Sequence, residues 1–357
     1  MARIGINALY LLPGAVGGTE IYLRELLAAL AQIDLANQYF VFTNLETGAD
    51  LTPRQANFHW KPQAVHAAFR PARILWEQMV LPFEAARYRL DVLLNPGFTA
   101  PLFSPCALVT VFHDLQHQHH PERFRWFDLP FWRMLLWASV HRSRKLIAVS
   151  QATRADLLRF YGIPAGRIAV IPHGVAPAFH STDRSHIQSY ILCVSTLHPH
   201  KNIERLIRVY ARGRRDRRLV LAGLRGFQTP TIEALIAELA LGDSVQLTGW
   251  IPRHELLDLF AGAAAFVYPS TFEGFGMPVL EALAAGIPTA CADIPPLREV
   301  AGDAALFFDP LDDDAVAAAL HRIVSDEPLR KRLAAAGPER ARPFTWKRSA
   351  EQTLAEL

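Results

Sequence analysis

Twice along this chain, short apolar stretches alternate with amphipathic helical ones. That order is satisfied by parallel sheets covered on both faces. In the first series, "ARIGINALYLL" (2–12) reads as a buried strand. The loop "PGAVGG" and a helix "TEIYLRELLAALAQ" follow, with Thr19 as the expected N-cap and Glu20 in the first turn. Further strands are expected at "YFVFTN", "DVLLNP", "ALVTVFHD", "KLIAVS" and "RIAVIPHG", with a helix at "SQATRADLLRFYG". After His173-Gly174 the segment "VAPAFHSTDRSHIQ" has no apolar period and reads as a linker. The pattern then restarts at "YILCVSTL" and runs through strands "RLVLAG", "VQLTGW", "AFVYPS" and "PTACAD", the last taken as the final strand. Helices "KNIERLIRVYARG", "TPTIEALIAELALG", "RHELLDLFAGA" and "PVLEALAAG" lie between them. The expected architecture is α/β, with two doubly wound Rossmann-like domains facing a central cleft. Their expected bounds are 1–175 and 176–340, and a C-terminal helix in 341–357 returns to the first domain.

The length of 357 residues suits two such domains. Hydrophobic residues make up 51% and charged residues 20%, so each domain can form a core. A net charge of +3 implies no nucleic-acid partner. The three cysteines, Cys106, Cys193 and Cys291, are far apart and suggest neither a disulfide framework nor a zinc site. The start "MARIGINALYLLPG" lacks the features of a signal peptide. No apolar run reaches the ~20 residues a membrane span requires. With the cysteine pattern, a cytoplasmic location follows as an expectation, with peripheral contact on the inner face of the membrane as a further one.

The chemistry concentrates in "STFEGFGMPVLEALAAG", Ser270 to Gly286. Pro278 fits the first position of a helix and Gly286 the position just past its end. Glu281 then falls in the first turn and Glu273 on the loop before it. Gly274 and Gly276 let the backbone approach a ligand. Free N–H groups at a helix start favour anions and polar oxygens, and carboxylates accept from sugar or ribose hydroxyls. Alternatively, Glu281 could merely complement the helix dipole.

The string "YPSTFEGFGMPVLEALAAG" resembles the E-x(7)-E signature of the retaining family-four glycosyltransferases, which have the GT-B fold. "GGTE", "VFHDL", "VSQATRADL", "IPHGV", "HPHKNI", "GWIP" and "PPLREVAGDAALFFDP" stand in the same order as in that family, so the resemblance covers essentially the whole chain. It implies that Glu273 contacts donor-sugar hydroxyls and that Glu281 binds the ribose. The N–H groups of Phe275, Gly276 and Met277 would face the sugar. Lys201, in "HPHKN", would be the main cation for the diphosphate, as a compact ammonium suits. The family usually has arginine where this chain has His200, and some members have arginine where it has Ser195. His198 and His200 could supply part of that charge when protonated, or face solvent.

Gly17 and Gly18 would bring the backbone close to the phosphates or sugar from the first domain. His113 and Asp114 end the strand "LVTVFHD", where parallel strands point into a binding crevice. The resemblance places His113 near the reaction centre, and Asp114 is assigned to the acceptor side. His113 could equally be a satisfied buried histidine. "HQHH" (His117, His119, His120) lacks metal-site spacing, and no metal or cofactor is expected beyond the nucleotide-sugar. Trp250 and Ile251 are candidates for the base pocket. "RWFDLPFWRMLLWASVHRSRK" (125–145) mixes aromatics with cations, as membrane-surface segments do, or is a helix packed on its domain with a solvated edge. "ARGRRDRR" (211–218) reads as a solvated turn.

The expected function is retaining transfer of a hexose to a saccharide acceptor, lipid-linked, in surface polysaccharide or glycolipid assembly. The donor is taken as GDP-mannose, with UDP-glucose or a related donor as alternatives. The rival readings are a GT-B epimerase or phosphorylase, and a non-catalytic sugar-nucleotide-binding protein.

Overall fold

The computed structural model describes residues 1–14, 17–213 and 217–357. Parts of "PGAVGG" and of the basic turn 211–218 lie outside the described residues. The chain divides into two units, Met1–Gly174 with Thr345–Leu357, and Val175–Phe344. Residues 341–344 therefore belong to the second unit, and the returning segment is shorter than 341–357.

The first unit is built on a seven-stranded parallel sheet. In chain order its strands are β1 (Arg3–Ala8), β2 (Gln38–Thr43), β3 (Phe58–Pro62), β4 (Val92–Asn95), β5 (Ala107–Phe112), β6 (Lys145–Ala148) and β7 (Ile168–Val170). Their spatial order is β3-β2-β1-β4-β5-β6-β7. The second unit has β8 (Tyr190–Val194), β9 (Arg218–Ala222), β10 (Val245–Gly249), β11 (Ala265–Tyr268), β12 (Thr289–Ala292) and β13 (Leu306–Phe308). These run in the order β10-β9-β8-β11-β12-β13, also all parallel. Each sheet reverses its direction of growth once, between β1 and β4 and between β8 and β11. In open α/β sheets the crevice at the carboxyl ends of such strands is where ligands bind.

The inner strands are apolar along their whole length because both faces are covered: β4 and β11 are buried at every residue. Phe40, Phe42, Leu81 and Leu93 pack on one side of the first sheet, and Phe112, Leu136, Leu146 and Leu157 fill another core cluster. Each such side chain contributes about 1.5–3 kcal/mol on burial.

Several elements differ from the sequence expectation. β3 is an edge strand ending in Lys61-Pro62, where proline costs no ladder bond. The unforeseen helix Arg70–Arg87 carries Pro82 in its interior, the residue that hides it from a propensity reading. Thr19 is not the N-cap: Gly17, two residues earlier, holds that place for the helix Gly18–Ile33, with no capping side chain. A short helix, Pro177–His180, interrupts the linker, and β13 follows "PTACAD" as a further strand.

The C-terminal helix Trp346–Glu356, capped by Thr345, packs on the helix Gly18–Ile33. Its entry demands glycine at position 174, where a Cβ would lie 2.2 Å from the Trp346 amide nitrogen. No helix of the described residues is long and apolar enough to cross a membrane.

Candidate active site

Two of the expected residues, Lys201 and Glu273, come together at the carboxyl ends of β8 and β11, the point where the second sheet reverses. β11 ends on Tyr268, and β8 runs into the turn Pro199–Lys201. The two loops are sewn together through one carbonyl. The Thr271 amide donates to the His200 carbonyl at 2.8 Å, and the hydroxyls of Ser270 and Thr271 reach the same oxygen at 3.1 Å. Asn202 holds a left-handed backbone at φ 58, and its amide donates to the carbonyls of Pro269 and Pro310. An asparagine tolerates that conformation better than most residues.

This stitching sets Lys201 Nζ 2.6 Å from Glu273 Oε1. The Tyr268 hydroxyl donates to the same carboxylate oxygen at 2.8 Å, while Lys201 donates to the Tyr268 oxygen at 3.1 Å. Lysine and glutamate keep 14% and 11% of their side-chain surface exposed, so the pair is screened little by solvent yet remains reachable. Burial foremost, then the Glu273 carboxylate, holds the Tyr268 hydroxyl protonated, well above the usual phenol range; Cys193 and Glu281 add to the effect. Glu281 thus acts on the tyrosine that Glu273 accepts from. The Cys193 thiol beneath is pushed up to about 12 by burial, with Lys201 acting in the opposite direction. It is no nucleophile at neutral pH.

The loop after Glu273 turns into the helix Met277–Ala284 at Gly276, its N-cap. Gly276 has φ 103, and a Cβ there would lie 2.3 Å from Leu297 Cδ2, so backbone and space both require glycine. Pro278 occupies the second helical position, one later than expected. Glu281 consequently lies in the second turn, 5% exposed, and not in the first. Gly286, at φ 66, follows the helix end as expected. Phe275 and Met277 are buried, with the Phe275 ring 6.1 Å from Phe344.

The His200 ring stacks at 5.9 Å on His198 and lies edge-on to Phe272. Its structural contribution is the carbonyl that anchors residues 270 and 271. Ser195 is buried, and Trp250 stands 62% exposed.

The remaining candidates belong to the first unit. His113 follows β5 and its Nε2 lies 2.9 Å from the Pro96 carbonyl. The rings of Tyr22, Phe98 and His173 surround it at 4.9, 5.4 and 5.4 Å. Burial lowers His113 to about 4, so it is a neutral imidazole at pH 7. Any stabilisation it gives a leaving group is by hydrogen bonding, not as a cation. Asp114 Oδ1 accepts from the Gln116 amide. Gly17 has φ 60 and begins the first helix with Gly18; the Gly14 amide donates to Glu20 Oε2 at 2.8 Å. The "HQHH" histidines disperse: His117 meets Tyr161, His119 meets Asp156, and His120 meets Glu122. Among the described residues no group of three His, Cys, Asp or Glu side chains could hold a metal ion.

Sequence reasoning missed Tyr268, Asn202 and His173. Tyr268 carried a signal: a polar-tipped aromatic closing an apolar parallel strand stands at the mouth of the crevice. His173 gave none, because only the folded chain places it beside His113.

Two doubly wound parallel units of this kind form the GT-B architecture. Sucrose-phosphate synthase from Thermosynechococcus elongatus has the same fold, with a TM-score of 0.81 over 99% of this chain and 98% of that one at 21% identity. Residues 16–179 match the family model described as Glycosyltransferase Family 4, and residues 179–340 the one described as Glycosyl transferases group 1. O-antigen chain mannosyltransferase B of Escherichia coli is 31% identical over 75% of this chain and 74% of its own length. O-antigen chain mannosyltransferase RfbU of Salmonella typhimurium is 29% identical over 59% of each chain. The chain belongs to the family-four glycosyltransferases.

Proposed function

We propose that this glycosyltransferase moves mannose from GDP-mannose, with retention of anomeric configuration, to a lipid-linked saccharide in surface polysaccharide or glycolipid assembly. The observation that carries the proposal is the Lys201–Glu273–Tyr268 group at the reversal point of the second sheet, beside the helix start at Gly276. Lys201 meets the diphosphate. Glu273 orients Lys201 and accepts from sugar hydroxyls, and Glu281 accepts from the ribose. Helix-start N–H groups add fixed positive potential where charge develops on the leaving group. Catalysis is positioning plus electrostatic stabilisation; no protein nucleophile is assigned, and no cofactor is invoked beyond the nucleotide-sugar. The mannosyl donor and the polysaccharide setting draw support from the names of the two O-antigen relatives.

Thermal melts with a panel of nucleotide-sugars test the donor. GDP-mannose at 100 times its Kd is expected to add about 2.7 kcal/mol of stability. Stabilisation by UDP-glucose with none by GDP-mannose overturns the donor assignment and leaves the family intact.

A lipid-linked acceptor fits an observation in the first unit. The helix Leu129–Arg142 buries Leu135, Leu136 and Val140 yet exposes Phe131, Met134 and Trp137, and Trp126 before it is 84% exposed. The helix Arg70–Arg87 exposes Leu75, Met79 and Phe83 at a spacing of four, a single stripe. Residues 100–102 join the two helices: the Ala100 amide donates to Ser139 Oγ, and the Leu102 amide to Gln78 Oε1. Arg125, Arg133, Arg142 and Arg144 lie along the same stretch, all exposed. Aromatics and cations together suit an anionic lipid surface, each cation contributing about 1 kcal/mol. Co-sedimentation with anionic but not neutral vesicles is expected, reversed by high salt and weakened in Arg142→Glu/Arg144→Glu. Failure to sediment with anionic vesicles at low salt removes the membrane from the proposal.

A further inference from the structure

The first sheet has its own reversal point, between β1 and β4, and the donor assignment makes no use of it. Asn7 on β1 donates to Asn95 Oδ1 on β4 and to Glu77 Oε2, both at 3.1 Å. Glu77 comes from the helix Arg70–Arg87 and is 2% exposed. Its carboxyl also accepts from Thr99 Oγ1 at 2.9 Å and from Gln78 Nε2 at 3.3 Å. Three neutral donors thus serve this carboxyl, and burial raises its pKa. It is a polar centre already satisfied without a cation in contact.

One turn earlier on that helix stands Arg73, half-buried, with Nε closed off from solvent and no acceptor for it. No hydrogen bond or ion pair of the Arg73 side chain exists among the described residues; Glu77, although near enough to interact electrostatically, lies beyond ion-pair distance. The contrast within the same helix is informative. Arg70 lies over the Trp132 ring at 4.3 Å and Arg87 pairs with Glu84, so each has a structural partner. Beside Arg73 is Tyr10, whose ring packs against Gly97 and whose hydroxyl donates to the Thr19 carbonyl at 3.4 Å. Tyr10 and Thr19 flank the loop that opens the first helix.

A guanidinium carries five N–H donors in a planar fork matched to two oxygens of one oxyanion. Closing Nε off from water without an acceptor is costly, and an oxyanion at the open face of the fork would supply one. Burial weakens the protonated form of Arg73 and Glu77 supports it, so the positive charge is retained in a partly desolvated place. There, one charge-assisted bidentate contact is stronger than on the open surface.

We infer that Arg73, with Tyr10 beside it, forms an oxyanion-binding site at the reversal point of the first sheet and takes a phosphoryl group of a substrate. The glycosyltransferase reading enters only in naming the two sources of that phosphoryl group: a phosphate carried by the acceptor, or the diphosphate of the donor.

Binding measurements on the full chain, with GDP and inorganic phosphate as probes, separate these sources and test the site. In the first arm GDP is saturating and phosphate is added in thermal melts. A further stabilisation that is lost in Arg73→Ala and partly kept in Arg73→Lys supports the site and assigns it to an acceptor phosphate. In the second arm GDP affinity is measured by calorimetry. A loss of about ten-fold or more in Arg73→Ala, with no extra effect of phosphate in the first arm, supports the site and assigns it to the donor diphosphate. Arg73→Lys keeps the charge and the helix, so it remains informative if Arg73→Ala is poorly folded. Responses to GDP and phosphate that are the same in wild type and Arg73→Lys, and in Arg73→Ala where it folds, overturn the inference. GDP binding that persists in every variant leaves the transferase reading standing, so the two failures are distinct.

Discussion

Glu273→Gln lowers turnover on the order of 100-fold or more while the protein stays folded. Glutamine keeps the size of the side chain and can still accept from the Tyr268 hydroxyl, now 2.8 Å from Glu273 Oε1. What disappears is the negative charge 2.6 Å from Lys201 Nζ. The loop itself does not depend on that charge, because Ser270 and Thr271 remain fastened to the His200 carbonyl. Removing one preorganised electrostatic group from an active site typically costs 10²–10³-fold in rate. On the proposed roles, the change reaches chemistry by two routes: donor-sugar hydroxyls lose an anionic acceptor, and Lys201 loses the partner 2.6 Å away that aims it. The structure adds a second expectation. Lys201→Ala and Glu273→Gln share one interaction, so the double variant is expected to lose less than the sum of the single losses, by about 0.5–3 kcal/mol. Initial rates of nucleoside diphosphate release in the presence of acceptor measure both. Wild-type turnover in Glu273→Gln removes the residue from the chemistry, and strict additivity separates it from Lys201.

Glu281→Ala weakens nucleotide-sugar binding by roughly 1–3 kcal/mol, the range for a hydrogen bond to a charged group, or about 5- to 150-fold in Kd. The residue is 5% exposed in the second turn of Met277–Ala284, with its charge acting on Tyr268. Alanine also leaves a small void in a helix whose other side chains, Pro278 apart, are buried. Glu281→Gln is the control, since it fills the same volume without the charge. Both variants are expected to bind the donor more weakly in calorimetry, with the alanine variant also melting lower. Unchanged donor affinity in both confines Glu281 to holding its helix.

Residue order alone determined that this chain forms two parallel α/β sheets. A parallel strand buried on both faces must be apolar throughout, as β4 and β11 are, and the helix between two such strands must be amphipathic. That local requirement is written directly into the sequence. The spacing of Glu273, Gly276, Glu281 and Gly286 was legible for the same reason: a helix start and stop are local events. One-residue errors came from capping, which backbone angles decide. Gly276 at φ 103 caps the helix, moves Pro278 to the second position and carries Glu281 out of the first turn.

Only tertiary structure decided which side chains meet. Lys201 and Glu273 are 72 residues apart, and their contact depends on β8 and β11 lying side by side, a consequence of strand order that no local pattern encodes. The charge of His113 was undetermined for a similar reason. Histidine is charged or neutral at pH 7 according to burial, and the rings that bury His113 come from residues 22, 98 and 173. Arg73 and Glu77 stand one turn apart on the helix Arg70–Arg87, which the sequence reading did not foresee. Folding gave Glu77 the side chains of Asn7 and Thr99 and left the Arg73 fork without an acceptor. Long-range packing satisfies one charge and not the other, and the unsatisfied one is the residue on which the inferred oxyanion site rests.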